Sequence, residues 1–155
     1  MSESSNRTDN WDNIREIFED SIPFHKFLEL KVNGLETGSP ALFVDRKDVL
    51  VGNFVRGNIH GGVISSLLDV IGGIVAFLEV IKHRELDDFQ SMLGQFSRMG
   101  TIDIRIDYLR PGYGNRFIAT GYVLRIGNKV AVTRMELHND EDLLIAVGTG
   151  AYVIG

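Results

Sequence analysis

The chain has 155 residues, 44% of them hydrophobic, which predicts one domain with a core large enough to need no metal or disulfide staples. It contains no cysteine, which excludes disulfides, thiolate metal sites and cysteine nucleophiles and fits a cytoplasmic protein. A net charge of −5 argues against general nucleic-acid binding, which needs a basic footprint.

Residues 1–10 read as a loose polar tail, and residues 1–13 show no charged-then-apolar secretory pattern. Asn10 or Asp12 is placed to cap a short helix reaching about Asp20. Trp11, Ile14, Ile17 and Phe18 share one face of that helix, so it is expected to act as a lid or buttress. Pro23 is expected to end it. Residues 27–36 and 41–45 read as two strands joined by a Gly-Ser-Pro turn, and 48–59 as a loop. His60-Gly61-Gly62 then opens a run in which twelve of the next twenty residues are Val, Ile, Leu or Phe. These residues do not keep to one stripe, which predicts a buried helix. The apolar stretch 63–78 is short for a membrane span and carries Asp69 and two serines, so a core helix is expected instead.

After that helix, residues 83–95 are charged and read as a surface connection. Ile102, Ile104, Ile106 and Tyr108 alternate with Asp103, Arg105 and Asp107, the pattern of a half-buried strand. Residues 117–126 and 130–138 flank Gly127-Asn128 and predict a hairpin. A turn at 139–142 leads to a last strand at 143–154, in which Gly148 and Gly150 mark curvature or close backbone approach. The expected fold is α+β: a six-stranded antiparallel sheet curled round one long buried helix, plus a short N-terminal helix. The short connections predict that the last four strands form a meander.

Asn53, Gly57, His60-Gly61-Gly62 and Asp69, followed by Thr101, Tyr108, Pro111 and Gly112, resemble the PaaI-type branch of the hotdog-fold acyl-CoA thioesterases. The resemblance covers residues 40–154. It implies hydrolysis of an acyl-CoA thioester, paired protomers with two sites per dimer, and often tetramers. It also implies that His60 orders the loop, that Asn53 helps to hold the carbonyl or the water, and that Thr101 positions the water. Strict alternation would turn Thr101 away from the helix, so that role requires a bulge.

The residues support the same chemistry on physical grounds. Unsatisfied N–H groups at a helix start lie at positive potential, and Gly61 and Gly62 let a substrate approach them as an oxyanion would require. Asp69 has no cationic neighbour on its own helix. Ser65 and Ser66 lie one turn before it, and Gly72 and Gly73 leave space one turn after. It is the candidate general base or nucleophile. Ser66 and Gly62 are candidates for the substrate side. Pro111 and Gly112, which end a strand, join them, and Arg110, Arg116, Arg125 and Lys129 are candidates to meet the phosphates of coenzyme A from one end of the meander.

Gly61 and Asp69 stand eight residues apart, about 12 Å along one helix, whereas a carbonyl and its attacking water are about 3 Å apart. A site shared between two chains, in a dimer or tetramer, is therefore expected. No cofactor is expected, because coenzyme A is part of the substrate; no metal, nucleic acid or membrane insertion is expected either. An apolar acyl tunnel is expected to favour medium to long or aromatic groups over acetyl. Two other readings remain: a hotdog dehydratase or hydratase, and a non-catalytic acyl-CoA-binding module.

Overall fold

Helix α3 (Gly61–His83) forms where the chain is apolar on every side, and it is the axis of the molecule. In a computed structural model that describes residues 10–155, a six-stranded antiparallel sheet wraps this helix. Leu67, Leu68, Ile71, Ile74, Ala76 and Val80 are wholly enclosed. Burial contributes roughly 1.5–3 kcal/mol for each large aliphatic side chain. The helix is long and apolar enough to cross a membrane, but most of its surface lies inside the fold.

The sheet comprises β1 (Lys31–Asn33), β2 (Ala41–Asp45), β5 (Gly100–Tyr108), β6 (Arg116–Ile126), β7 (Val130–Asn139) and β8 (Leu144–Val153). Strands β3 (Val51–Asn53) and β4 (Asn58–Ile59) form a separate small hairpin within the expected loop. The order in the main sheet is β1-β2-β6-β7-β8-β5. The hotdog arrangement is therefore present, with one correction: β6, β7 and β8 form the meander, and β5 pairs with β8 instead of β6. The connection 109–115 has to cross three strand spacings, about 14 Å. Seven residues reach farther than that when extended.

The N-terminal region also departs from expectation. Residues 10–16 form helix α1, which runs into a π-helical turn, Ile17–Ser21. The expected tail lies almost wholly outside the described residues. Pro23 does not stop a helix here; it opens a second one, α2 (Pro23–Leu28), at the first position, where its missing N–H costs nothing. Phe27 and Leu28 therefore belong to a helix, and the strand expected at 27–36 shrinks to Lys31–Asn33.

The expected surface connection contains helix α4 (Phe89–Phe96). Asp88 caps it by accepting from the Ser91 N–H at 2.9 Å, and Met92 and Gln95 are buried. Phe18, Phe77 and Phe96 meet edge to face at centroid distances of 5.6–6.1 Å, tying the π turn, α3 and α4 together. Such ring pairs add about 0.5–1.5 kcal/mol beyond their buried area.

Candidate active site

The start of α3 is built by His60. Its backbone is extended (φ −65°, ψ 139°) and its ring folds back so that Nδ1 accepts the Gly62 N–H at 2.7 Å. A Cβ on Gly62 would stand 2.9 Å from that nitrogen, so the ring can cap the helix only over a glycine. Gly62 was expected on the substrate side; its own N–H is already taken by His60. The Gly61 N–H makes no hydrogen bond among the described residues and points out of the positive end of the helix. The Gly61 carbonyl accepts from the Tyr108 hydroxyl at 3.1 Å, which fixes this peptide from its other side. Ser65 and Ser66 both turn back to donate to the Gly62 carbonyl, at 3.0 and 2.7 Å.

Asp69 lies half-buried two turns along. Its Oδ1 accepts from the Thr101 hydroxyl at 2.9 Å and from the Tyr152 hydroxyl at 3.2 Å. The Tyr152 hydroxyl also reaches the Asp69 backbone carbonyl at 3.0 Å. Oδ2 has no hydrogen-bond partner among the described residues, and no cation there pairs with Asp69. Burial first, and then the Asp69 charge, push the Tyr152 phenol well above its usual range, so it remains a donor.

Thr101 reaches Asp69 through a bulge. Thr101 pairs with Tyr152 and Asp103 with Ala151, which leaves Ile102 outside the register. Thr101 therefore faces the helix. Ile102, expected to face the core, is 57% exposed, while Ile104 and Ile106 still pack inward. Tyr108 is also half-exposed, because its ring lies over Gly61 at the rim.

A cavity of about 360 Å³ opens beside the carboxylate. Asp69, Thr101 and Tyr152 line part of it, and Phe18, Ile22, Ile74, Phe77 and Phe96 make much of the rest apolar. The volume is in the range of small-molecule sites. His25 also lines it; its Nδ1 bonds the Phe18 carbonyl at 2.8 Å, and burial lowers its pKa below the ordinary 6.5. Tyr152 and His25 escaped the sequence reading. The gap at Gly72 and Gly73 was the one signal for Tyr152, because a large inward side chain had to fill it.

The remaining candidates are spread out. The Asn53 side-chain oxygen accepts the N–H groups of Val55 and Arg56, both at 3.1 Å, so it shapes its own turn. Gly112 accepts the Ile59 N–H at 3.0 Å, and a Cβ there would come within 2.6 Å of the Ile59 side chain. Pro111-Gly112 thus seats the 109–115 connection on β4. Arg110 donates to the Leu144 carbonyl at 2.9 Å, and Arg116 pairs with Asp45 at 2.6 Å. The four phosphate candidates do not share one end of the sheet. Arg110 and Arg116 lie at one end of β6, whereas Arg125 and Lys129 lie at the other, about 30 Å away by strand length. A hairpin's two ends cannot serve one headgroup. Among the described residues no group of three His, Asp or Glu stands close enough to hold a metal.

Residues 56–146, from the turn before His60 to the start of β8, match the family model described as the thioesterase superfamily. The chain belongs to that superfamily. It is 44% identical over 142 residues to a Salmonella typhimurium protein named medium/long-chain acyl-CoA thioesterase YigI, with 92% of each chain covered. A crystal structure from Shewanella oneidensis, described as related to the thioesterase superfamily, superposes with a TM-score of 0.88 at 38% identity, covering 96% of this chain and 97% of that one. The Escherichia coli PaaI structure shares the fold, with a TM-score of 0.68 at 18% identity, covering 97% and 96%.

Proposed function

We propose that this protein hydrolyses medium- to long-chain acyl-CoA thioesters, with Asp69 of one protomer and the Gly61 amide of another forming each site. The observation that carries the reading is the divided state of the Asp69 carboxylate. Oδ1 is held by two hydroxyl donors, and Oδ2 is left open beside an apolar cavity. A carboxylate positioned in this way can take a proton from a water with one oxygen while the other is fixed. The deprotonated water attacks the thioester carbonyl, the carbonyl becomes an oxyanion, and the C–S bond then breaks as the proton taken up by Asp69 passes to the leaving sulfur, releasing the acid and the coenzyme A thiol.

The oxyanion requires a fixed donor. Of the two glycine amides, Gly62 is used by His60 and Gly61 is available. Gly61 and Asp69 of one helix remain about 12 Å apart along its axis. A second copy supplies the missing half of each site. Strand β5 ends the sheet with an unpaired edge, and such an edge is a natural place for another copy to join. The YigI name and the apolar cavity together favour medium to long chains. Among the described residues no histidine or second carboxylate bonds Asp69, which counts against a dehydratase.

Asp69→Asn keeps the side-chain shape and removes the charge. Loss of a general base is expected to lower kcat on a medium-chain acyl-CoA on the order of 10²–10⁴-fold. Thermal stability should be kept or raised, because the amide still accepts from Thr101 and Tyr152. Wild-type turnover in that variant would defeat the assignment.

A further inference from the structure

His25 is the one titratable side chain of the cavity for which hydrolysis has no use. It stands on α2, is 9% exposed, and its Nδ1 lies 2.8 Å from the Phe18 carbonyl. A carbonyl only accepts, so Nδ1 carries the proton; in the neutral ring Nε2 then carries a lone pair. Nε2 has no hydrogen-bond partner among the described residues. It is also not sealed off, since no side-chain nitrogen or oxygen there is both fully buried and unpartnered. Nε2 is therefore reachable, and the ring that carries it lines the cavity.

The other polar side chains of that wall are already engaged. Thr101 and Tyr152 donate to Asp69, and Ser97 donates to the Gly94 carbonyl at 2.8 Å. Apart from Asp69 Oδ2, which the hydrolytic water uses, His25 Nε2 is the free side-chain acceptor of a wall otherwise made largely of Phe18, Ile22, Phe77, Phe96 and Met99. An acceptor taken from water and left unmatched is costly. A plain alkyl chain cannot match it, but a chain bearing a hydroxyl can.

We propose that the cavity is a site for hydroxylated acyl chains, in which His25 Nε2 accepts a hydrogen bond from a hydroxyl carried by the chain. This rests on the reading that the cavity holds the acyl group. His25 acts in specificity here and has no part in the bond-breaking step. The Phe18 carbonyl, itself on the π-helical turn, sets the ring so that Nε2 is the atom presented.

The test compares kcat/KM for CoA thioesters of one chain length: unsubstituted, hydroxylated at the third carbon, hydroxylated mid-chain, and hydroxylated at the end. One hydroxylated isomer should be favoured roughly three- to tenfold, the worth of one neutral hydrogen bond. In His25→Phe, which keeps a ring and removes the acceptor, that ratio should fall to about one. A second readout does not need the variant. The wild type, labelled with ¹⁵N at its four histidines, is titrated with a hydroxy fatty acid and with the unsubstituted acid. Only the hydroxylated acid should move the His25 Nε2 signal. Equal rates for every isomer, a preference that survives His25→Phe, or equal NMR shifts with both acids would overturn the proposal. Equal rates would leave hydrolysis itself standing. Absence of any acyl-CoA hydrolysis would defeat the underlying function, and the titration would still decide the role of His25.

Discussion

Gly72 and Gly73 are adjacent on α3, and the structure assigns them opposite responses to the same substitution. A Cβ on Gly72 would lie 2.2 Å from the Tyr152 hydroxyl oxygen, 2.9 Å from its Cζ and 3.0 Å from the Thr133 hydroxyl. A Cβ on Gly73 would meet only the Tyr152 ring edge, at 3.7 Å, an ordinary contact. Both substitutions gain about 1 kcal/mol of helix propensity over glycine. Gly72→Ala must in addition displace Tyr152. Crowding a packed site costs about 1–3 kcal/mol, and the lost hydrogen bond to a carboxylate costs about 1.5–3 kcal/mol. The net expectation is a loss of about 1.5–5 kcal/mol for Gly72→Ala and a gain of up to about 1 kcal/mol for Gly73→Ala. At roughly 2–4 °C per kcal/mol for a chain of this size, Tm should fall on the order of 10 °C in the first and rise slightly in the second. Calorimetry and thioester hydrolysis on both variants form the assay, and Gly72→Ala should also lose turnover, because Tyr152 no longer holds Asp69. Two variants of equal stability and activity would refute this account of the contact between Tyr152 and the helix.

Tyr152→Phe and Thr101→Val each remove one donor from Asp69 Oδ1 and keep the side-chain outline. Each should lower kcat more than it changes KM, since neither group faces the oxyanion, and a pure KM effect would place them in binding instead. Gly61→Pro removes the N–H at the first position of α3, where proline is tolerated, and the extended backbone of His60 suits a following proline. Turnover should fall on the order of 10²–10³-fold, the worth of an oxyanion donor, with Tm nearly kept; full activity would remove Gly61 from the mechanism. His25 gives a pH signature in stability. Burial holds its folded pKa below 6.5, so the unfolded chain binds the proton first as pH falls. The stabilisation is therefore complete above about pH 6.5 and is lost as pH drops through the folded value, a slope that should be absent from His25→Gln in calorimetry. Asp45, whose pKa is lowered by its hydrogen bond to Arg116, titrates below that window.

The parts of the fold legible in the sequence were those fixed by composition and period. Helix α3 could be read because no face of residues 61–83 is polar, and β6, β7 and β8 because their connections are short. The place of β5 could not be read in the same way. Strand adjacency was inferred from connection length, and a seven-residue connection that crosses two strands differs little from one that turns back. Pro23 was taken as a stop, although the same fixed φ serves a helix start. Helix α4 was hidden by its charged approach, residues 82–88, and only the Asp88–Ser91 cap marks its beginning.

In the site, Asp69 could be read from its apolar surroundings and Gly61 from the helix start. Thr101 was legible only conditionally, because its direction depends on a bulge that alternation does not show. Tyr152 and His25 were not legible because each reaches the cavity from an element distant in sequence. Asn53 and Gly62 matched a pattern, yet their polar atoms serve the turn and the cap. A motif gives residue types at a spacing and does not give the partner that each atom finds.

In the proposed mechanism, catalysis joins Asp69 of one protomer to Gly61 of another. Asp69→Asn and Gly61→Pro are each prepared, shown to be inactive, mixed in equal amounts and allowed to exchange subunits. In a two-fold dimer each mixed pair carries one site with both lesions and one intact site. Random exchange should therefore restore about a quarter of wild-type turnover per protomer. A mixture no more active than the separate variants, after exchange has been demonstrated, would contradict the shared site.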